Sequence, residues 1–573
     1  MRRSLLLFAT IGMFAIQGFG QVSFRILLDS AATGGSSPGR GTGYAVLSSD
    51  LKTLTYQVTV NKLLGTIQQA HFHTFPGGAV IQAITFTGNT ASGTWSNVPD
   101  SILRYMFSNT RSLYVNVHTT SNSGGEIRGN LQAQQAGFTF SLDDVGTGTT
   151  STGKGTGVLS VRDSSTVPAL RYHITYAGMK GNFTNAHFHA LPSGAVIKQI
   201  TFVDSTADGY WTNYPDSVIT LLLRGKVYVN IHTGFNTGGE IRGTSTYVGE
   251  FCTVAEVNGP QAGTASTAKG TAWAVLANDL SKIKYSVTYG KLQGAFQQAH
   301  FHSSPGGGVV QAITFTGNTA AGDWLSPTDV NIQDFVRGRL YVNIHSAFNT
   351  AGEIRGDLKY VDGAFNAKLD GASAGTNSTA KGTGFITLNE DSIRYHATFA
   401  GLTGAFSNGH IHAAPSGAVL KPLSFTDSTS AGYWSSYPDS VIYLAVKARL
   451  YFNVHSGTFT GGEIRGNIGP GSFIATGVEQ ISDALPASFK LEQNYPNPFN
   501  PSTSINFSVK RTAHVSLKVF NLLGQVVAVL MDEIKAPGSY KVTFDARFLS
   551  TGIYFYRLAA DNFSELRKMV LLK

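Results

Sequence analysis

Four stretches of this 573-residue chain carry the same short motifs in the same order. Each stretch contains a His-x-His pair, then Tyr-x-Asn-x-His, then Gly-Glu-Ile-Arg-Gly. The pairs begin at His71, His187, His300 and His410, so successive copies lie 110 to 116 residues apart. That spacing is the size of a domain and too long for a solenoid repeat. We therefore predict four tandem domains that fold independently, joined by short linkers into a semi-rigid rod.

The residues between the motifs predict strands. Short runs of Val, Ile, Tyr and Phe alternate with Gly, Ser, Thr and Asn, which is typical of an all-β protein with many turns. In the first copy we predict strands at residues 23–28, 43–49, 53–60, 70–74, 80–86, 93–96, 112–119 and 126–131. Residues 99–107 predict a short helix, with similar starts at Pro215 and Pro438. This pattern predicts a β-sandwich or Greek-key barrel for each copy.

The first 20 residues predict export. Met1-Arg2-Arg3 precedes a short apolar run from Leu5 to Ile16 and then small residues, the pattern of a secretory signal peptide. No other run is long and apolar enough to predict a transmembrane segment. The formal net charge of +9 is scattered rather than clustered, which argues against nucleic-acid binding. The single cysteine, Cys252, excludes an intrachain disulfide.

Twelve of the 15 histidines fall at repeated positions, three in each copy. They are His71, His73, His118, His187, His189, His232, His300, His302, His345, His410, His412 and His455. Alternation along a strand places both rings of His-x-His on one face, with Cα atoms about 7 Å apart. The third histidine lies on the polar face of a later strand, whose apolar residues point the other way. Such a set could ligate copper or zinc, or could form a hydrogen-bonded network between two strands, and the spacing fits both.

A glutamate follows each third histidine within the Gly-Glu-Ile-Arg-Gly motif. The four are Glu126, Glu240, Glu353 and Glu463. Each could ligate a metal or orient a ligating histidine. The alternative, which we favour, is a structural network that pairs the glutamate with the arginine two residues later, such as Glu126 with Arg128.

Taken together, these motifs resemble the CHRD domain, which is named for chordin and also occurs in microbial exported proteins. The resemblance rests on Ala-His-Phe-His, on a Gly-x-Trp step such as Gly93-Thr94-Trp95, and on the two later motifs. It covers approximately residues 22–468. It implies an immunoglobulin-like β-barrel distantly similar to copper/zinc superoxide dismutases. By that similarity, His71, His73 and His118 of this chain would correspond to copper ligands of the dismutases. The zinc cluster and cysteine pair of that family are missing here, and we assign no catalytic residue.

The C-terminal segment has another composition and lacks His-x-His. Strands are predicted at residues 503–509, 513–520, 526–532, 538–545, 552–559 and 564–572, as in one small β-sandwich. The runs at residues 494–501 and 552–558 resemble the type A sorting domain of type IX secretion. That resemblance implies that the type IX translocon recognises this domain and that the product is anchored at the cell surface or released.

These observations predict seven segments in an all-β chain. They are a signal peptide at residues 1–20, CHRD repeats at 22–132, 136–247, 248–360 and 361–468, a linker at 469–487 and the sorting domain at 488–573. We predict a non-enzymatic, secreted or cell-surface protein that binds an unknown extracellular protein or polysaccharide, or serves as a stalk. The competing hypothesis is a copper- or zinc-binding redox protein with a superoxide-dismutase-like site in each repeat.

Overall fold

The computed structural model describes residues 21–572 apart from short gaps. The gaps are residues 49–50, 108–111, 135, 165–166, 250, 361–362, 389–391, 439, 471–478, 483–485, 501, 512, 523–525, 536, 547–550 and 561–562. The predicted signal peptide lies outside the described residues. The chain divides into two compact units, one spanning residues 19–473 and the other residues 474–573.

Repeat 1 forms one antiparallel sheet with a short helix, as the sequence predicts. Its strands are β1 (Val22–Asp29), β2 (Arg40–Leu47), β3 (Thr53–Asn61), β4 (Ile67–Phe75), β5 (Val80–Ile84), β6 (Phe86–Thr87), β7 (Thr90–Ser96), β8 (Ser112–Thr119) and β9 (Ile127–Gln134), and its helix is α1 (Asp100–Met106). The sheet order is β5-β4-β8-β9-β1-β2-β3-β7-β6. The sheet curls so that β5 and β7, near its two ends, are in contact. The all-β prediction is confirmed.

The other three repeats follow the same plan, except that the strands of repeat 2 divide into a five-stranded and a four-stranded sheet. Repeat 2 contains β10 (Ala136–Leu142), β11 (Lys154–Ser164), β12 (Val167–Ala177), β13 (Phe183–Ala190), β14 (Ala195–Gln199), β15 (Thr206–Thr212), α2 (Ser217–Leu223), β16 (Val227–Thr233), β17 (Ile241–Thr244) and β18 (Thr246–Gly249). Repeat 3 contains β19 (Phe251–Asn258), α3 (Gly259–Ala262), β20 (Lys269–Leu276), β21 (Lys282–Tyr289), β22 (Phe296–Ser303), β23 (Gly308–Ala312), β24 (Thr319–Leu325), α4 (Asp329–Val336), β25 (Leu340–Ser346), β26 (Ile354–Asp357) and β27 (Lys359–Tyr360). Repeat 4 contains β28 (Ala364–Asp370), α5 (Gly371–Ala374), β29 (Lys381–Leu388), β30 (Ser392–Ala400), β31 (Phe406–Ala413), β32 (Ala418–Leu423), β33 (Thr429–Ser435), α6 (Ser440–Val446), β34 (Leu450–Ser456) and β35 (Ile464–Pro470).

The sheet faces of paired repeats meet through threonine hydroxyls. Between repeats 1 and 2, the side-chain oxygens of Thr59 and Thr156 lie 2.7 Å apart. Between repeats 3 and 4, those of Thr288 and Thr383 also lie 2.7 Å apart. A histidine of the later repeat joins each contact. The Nδ1 atom of His173 approaches the hydroxyl of Thr42, and that of His396, which is buried, lies 2.6 Å from the hydroxyl oxygen of Thr271. Because every hydroxyl in these contacts has a partner, the polar side chains can be buried at little cost.

A second kind of contact joins the repeats through their helices. Helix α2 packs against α4 between repeats 2 and 3, where Asp216 forms ion pairs with Arg337 and Arg339 and accepts a hydrogen bond from Arg339. Helix α1 packs against α6 between repeats 1 and 4, where Asp100 accepts hydrogen bonds from Tyr443 and Lys447. The apolar cores merge accordingly, one cluster spanning repeats 2 and 3 and another spanning repeats 1 and 4.

These two contacts alternate, so the repeats touch in the cyclic order 1-2-3-4-1, which we call the ring. The contact between repeats 1 and 4 joins residues that lie 343 positions apart in the chain. The prediction of a semi-rigid rod is therefore wrong, although each described sheet stays within one repeat, as predicted for separate β-modules. The short linkers fold the repeats back on one another, because each repeat buries apolar surface against a neighbour as well as within itself.

The C-terminal unit consists of two four-stranded sheets around one apolar core. Its strands are β36 (Glu479–Ser482), β37 (Lys490–Leu491), β38 (Ser502–Val509), β39 (Ala513–Phe520), β40 (Val526–Lys535), β41 (Gly538–Asp545), β42 (Gly552–Ala560) and β43 (Phe563–Leu571). The predicted small β-sandwich is confirmed. The predicted linker at residues 469–487 is only partly a linker. It contains β36, which pairs with β41 of the C-terminal unit. None of the helices in the described chain is both long and apolar enough to cross a membrane.

Candidate metal centre

The register between two neighbouring strands brings the three histidines of each repeat together. In repeat 1, β4 runs antiparallel to β8, with His73 opposite Tyr114 and Gln69 opposite His118. The third histidine is thus diagonal to the first, on the same face of the sheet. Val115 and Val117 point to the opposite face and are fully buried in the core. The predicted division between an apolar face and a histidine face is confirmed.

All four sets converge to the same degree. In each of the triads, the nearest ring nitrogens of the three histidines lie within 4.8 Å of one another. The triads are His71, His73 and His118; His187, His189 and His232; His300, His302 and His345; and His410, His412 and His455. The second histidine of each triad is buried, whereas the first is half-buried. Each triad is therefore reachable from solvent on one side.

Backbone carbonyl groups fix the tautomers of two histidines in each triad. In repeat 1, the Nδ1 atoms of His73 and His118 lie 2.9 and 2.8 Å from the carbonyl oxygens of Gly78 and Ser123. A carbonyl oxygen can only accept, so each Nδ1 carries a proton and each neutral ring has its lone pair on Nε2. These two Nε2 atoms face each other at 3.5 Å. Two lone pairs at that distance repel unless a cation lies between them.

The other repeats share the carbonyl contacts, but a different pair of ring nitrogens is closest. The second and third histidines again donate to carbonyl oxygens through Nδ1 in repeats 2, 3 and 4. The first histidine directs Nδ1 at the Nε2 atom of the third, at 3.4 Å in repeats 2 and 3 and at 3.3 Å in repeat 4. The Nε2 atoms of His189, His302 and His412 are buried and have no hydrogen-bond partner among the described residues. Three ring nitrogens per repeat thus point at one place.

The surroundings of the triads favour neutral imidazoles. Burial lowers the pKa of His187 below its usual value, and the neighbouring His232 and His189 lower it further. His71, His300 and His410 are shifted in the same direction for the same reasons. Neutral imidazole is the form that ligates a metal, because its lone pair is free.

A stack of three side chains holds the second histidine of each triad, and the sequence did not reveal it. In repeat 3 the ring of His302 stacks on Tyr341 with centroids 5.1 Å apart, and the guanidinium of Arg355 lies 3.6 Å from the centre of the tyrosine ring. The equivalent stacks are His73–Tyr114–Arg128, His189–Tyr228–Arg242 and His412–Tyr451–Arg465. The tyrosine and arginine were visible in the motifs, but their contact depends on the register between β8 and β9 and its equivalents.

An asparagine beside each triad explains the first glycine of Gly-Glu-Ile-Arg-Gly. Asn230 lies between Tyr228 and His232, is 2% exposed and donates to the carbonyl oxygen of Gly238 at 3.0 Å. Gly239 has φ +119°, and a Cβ atom there would lie 2.1 Å from the Oδ1 atom of Asn230. Only glycine can adopt this positive φ and also lie this close to the asparagine side chain. The motif thereby keeps the asparagine against the loop whose carbonyl oxygen accepts the hydrogen bond from the third histidine.

The glutamates lie beside the triads and do not join them. Glu240 is fully buried and accepts hydrogen bonds from the hydroxyls of Ser151 and Thr233 and from the backbone N–H groups of Lys180 and Gly181. Glu126 and Glu353 occupy the same position with equivalent partners. Glu463 occupies it too and accepts through one oxygen from the hydroxyl of Ser378 and the backbone N–H of Thr403. The predicted Glu–Arg network is wrong, because the arginine stacks on tyrosine and the carboxylate binds hydroxyl and amide groups instead.

These hydrogen bonds make the carboxylate a fixed anion. Burial alone raises the pKa of Glu240, but the bonds from Ser151, Thr233 and the two backbone N–H groups outweigh it and hold the pKa below its usual value. The stabilisation is therefore complete above the ordinary glutamate pKa and is lost as the pH falls through the lower value in the folded protein. The glutamate ties the loop before β13 to β16 and to the turn that precedes β17.

Comparisons with known proteins agree with the motifs. The family model described as the CHRD domain matches residues 24–131, 138–244, 253–358 and 365–468. The model described as the secretion system C-terminal sorting domain matches residues 493–572. A search of curated proteins finds no match.

Solved structures resemble this chain only weakly. A tetra-tandem repeat from the extending region of a large adhesion protein is 12% identical, covering 72% of this chain and 97% of its own, with a TM-score of 0.13. A pullulanase from Bacillus acidopullulyticus is 9% identical over 50% of this chain and 35% of its own, with a TM-score of 0.11. A trypsin-activated alpha-2-macroglobulin from Escherichia coli is 9% identical over 97% and 42%, with a TM-score of 0.14. Superpositions this poor support no conclusion about fold or function.

The C-terminal match establishes where the protein works. A type IX sorting domain is recognised by the secretion machinery and directs its protein to the cell surface or the extracellular space. The triads therefore face an environment outside the cytoplasm. With its four matched repeats covering most of the sequence, the chain belongs to the CHRD domain family.

Proposed function

We propose that this is an exported, non-enzymatic protein that binds one copper or zinc ion at the histidine triad of each repeat. The observation that carries the proposal is the pair of facing Nε2 lone pairs of His73 and His118, held 3.5 Å apart while both Nδ1–H groups donate to carbonyl oxygens. A cation between the two nitrogens turns this repulsion into attraction.

The closest nitrogen pair of each triad has a spacing that fits ligation of one ion. Metal–nitrogen bonds of 2.0–2.1 Å at tetrahedral angles put neighbouring ligand nitrogens about 3.3 Å apart. The closest nitrogen pairs of the four triads are 3.3 to 3.5 Å apart. Imidazole suits both copper and zinc, and three protein ligands leave a coordination position open toward solvent. The carbonyl oxygens that accept from Nδ1–H orient the rings, as is usual around metal-bound histidines.

A purely structural network of the histidines fits the contacts less well. Such a network needs a donor for each acceptor, but a neutral triad has one proton too few to satisfy its converging nitrogens. In repeats 2, 3 and 4 the buried Nε2 atom of the second histidine lacks a hydrogen-bond partner within the described part of the chain. Leaving such groups unpaired costs about 1–3 kcal/mol each, and a bound metal removes that cost.

Metal content tests the proposal directly. We expect the purified full chain, supplied with copper or zinc and then freed of excess metal, to retain four ions by elemental analysis. The double substitution His187→Ala/His189→Ala is expected to reduce this to three, because it removes two of three ligands from one triad. The control His173→Gln changes a histidine outside the triads and is expected to keep four. Retention of less than one ion per chain both with copper and with zinc would refute metal binding.

The stacked tyrosine gives a graded prediction. We expect Tyr228→Leu to weaken metal binding in repeat 2 by about tenfold, because the ring of His189 then loses the surface that fixes its orientation. Tyr210→Leu is the matched control, since Tyr210 also carries an arginine over its ring but is 57% exposed on β15. Competition titration with a chelator on both variants measures the difference. Equal affinities would show that the stack does not position the ligand.

A redox role is separable by assay. In the proposed function the ion is held and not used for turnover. Copper-loaded full chain that consumes superoxide faster than the His187→Ala/His189→Ala variant, in proportion to bound copper, would replace this proposal with the redox one. Equal rates for the two proteins would support the non-enzymatic function.

A further inference from the structure

Repeat 1 has a groove whose lining includes the first histidine of its triad. The groove has a volume of about 790 Å³ and runs between the segment that joins β3 to β4 and the segment around β6. His71 is one of its lining residues, and Ile67 and Phe86 are among its apolar ones. This size lies within the range of small-molecule sites, roughly 300–1,000 Å³.

Three aromatic rings occupy the equivalent place in the other repeats. In repeat 2, Phe202 contacts Tyr176 and Phe183 with ring centroids 5.1 and 5.5 Å away. Repeat 3 has Tyr289, Phe296 and Phe315 there, and repeat 4 has Phe399, Phe406 and Phe425, at similar distances. In repeat 1 the matching residues are Val60, Ile67 and Phe86. Phe86 therefore lacks two ring partners, and its face is left to line the groove.

The polar lining suits a ligand with many hydroxyl groups and no net charge. Amide and hydroxyl side chains predominate, among them Gln68, Gln69 and Thr85, all three exposed. They can both donate and accept, as pairs of sugar hydroxyls require. The lining residues, all of which are described, include no carboxylate. The single ammonium group, that of Lys62, is paired with Asp204 of repeat 2 at 3.2 Å.

His71 adds a donor of defined position. Its Nδ1 atom is buried and points into the triad. When Nδ1 serves as a lone-pair ligand, the proton of the neutral ring lies on Nε2, which then is a hydrogen-bond donor on the outer side of the ring. An aromatic face, amide groups and one imidazole N–H together make a surface on which a sugar ring can stack and hydrogen-bond.

We propose that the groove of repeat 1 binds a short neutral oligosaccharide, with Phe86 under one sugar ring and amide groups around its hydroxyls. This site goes beyond the metal centres, from which it needs only the imidazole of His71. It distinguishes repeat 1 from the other three repeats, whose aromatic side chains fill the same space.

Calorimetric titration of the full chain with cellotriose, maltotriose and xylotriose tests this site. We expect at least one of them to bind with one site per chain. The substitution Val60→Tyr/Ile67→Phe copies repeat 2 into repeat 1 and is expected to weaken binding at least tenfold while leaving metal content unchanged. The reverse substitution in repeat 2, Tyr176→Val/Phe183→Ile, is expected to raise the number of sites to two.

Three results would overturn the proposal. The first is no binding of any of the three sugars at millimolar concentration. The second is unchanged affinity in the Val60→Tyr/Ile67→Phe variant, which we call the filled variant. The third is tighter binding of trigalacturonate than of all three neutral sugars. Thermal unfolding of each variant verifies that it is folded. Because the filled variant keeps all twelve triad histidines, a failure of sugar binding and a failure of metal binding give different results.

Discussion

Glu240→Ala is expected to lower the free energy of unfolding of the ring by about 4 kcal/mol. The carboxylate is fully buried and accepts four hydrogen bonds, from Ser151, Thr233 and the amides of Lys180 and Gly181. Alanine leaves two partly buried N–H groups without their acceptor, and an unsatisfied buried group costs about 1–3 kcal/mol. The two hydroxyls lose a charged partner as well, and a cavity remains where the side chain was.

Denaturant unfolding and hydrogen exchange together measure this loss. We expect the amides of Lys180 and Gly181 to exchange at least a hundredfold faster in the variant, since their only described acceptor is removed. Asp323→Asn is the matched control, because Asp323 forms a surface ion pair with Lys282 at 2.7 Å. Such pairs contribute about 0–1 kcal/mol. A loss for Glu240→Ala no larger than that of the control would show that the carboxylate does not tie the loop to the strands.

His396→Gln is expected to remove most of the acid sensitivity of the contact between repeats 3 and 4. Burial lowers the pKa of His396 to about 4, although the nearby Glu256 raises it in part. Arg394 and Lys269 lower it further. In the unfolded chain the imidazole titrates near 6.5. The stabilisation that depends on the neutral imidazole of His396 is therefore complete above pH 6.5. It falls by about 3 kcal/mol in total as the pH drops from 6.5 toward 4.

Glutamine is the informative substitution because the protein already has a glutamine at the equivalent position of another repeat. Gln57 of repeat 1 occupies the position equivalent to His396, where its amide donates across the interface to the hydroxyl oxygen of Thr156 at 3.1 Å. Denaturant unfolding at pH 7 and pH 4.5 should thus show a smaller acid-induced loss in the variant than in the parent. His455→Gln, inside a triad, is the comparison that leaves the interface unchanged. Parallel pH profiles for His396→Gln and the parent would contradict the assignment.

The sequence was sufficient to place the triads because they depend on local periodicity. Alternation along β8 assigns Val115 and Val117 to the core and His118 to the other face, and this requires no knowledge of neighbouring strands. Helix α1 was predicted from its proline start, whereas α4 was missed because its start reads Pro-Thr-Asp instead of Pro-Asp-Ser. The existence of strands was easier to predict than their partners, as the unexpected pairing of β36 with β41 shows.

Contacts between distant segments were beyond sequence reasoning. The hydrogen bond from Tyr443 to Asp100 depends on two helices from the first and last repeats meeting, and no repeated motif indicates that they meet. The stack of Arg355 on Tyr341 needs the pairing of β25 with β26, which sets a cross-strand diagonal that no single strand reveals. In the same way, the groove of repeat 1 becomes visible only when Val60 and Ile67 are compared with the packed rings of repeats 2 to 4.

The alternation of threonine-rich and helix-to-helix contacts restricts how such an array can change in length. A single inserted repeat would meet one neighbour with the wrong surface. A threonine-rich face pairs with another threonine-rich face, and a helix face pairs with another helix face. Deleting one repeat would leave a threonine face and a helix face opposite each other. Gene duplication or truncation that preserves closure must therefore act on two adjacent repeats at once, which makes the pair, and not the single domain, the heritable building block of this assembly.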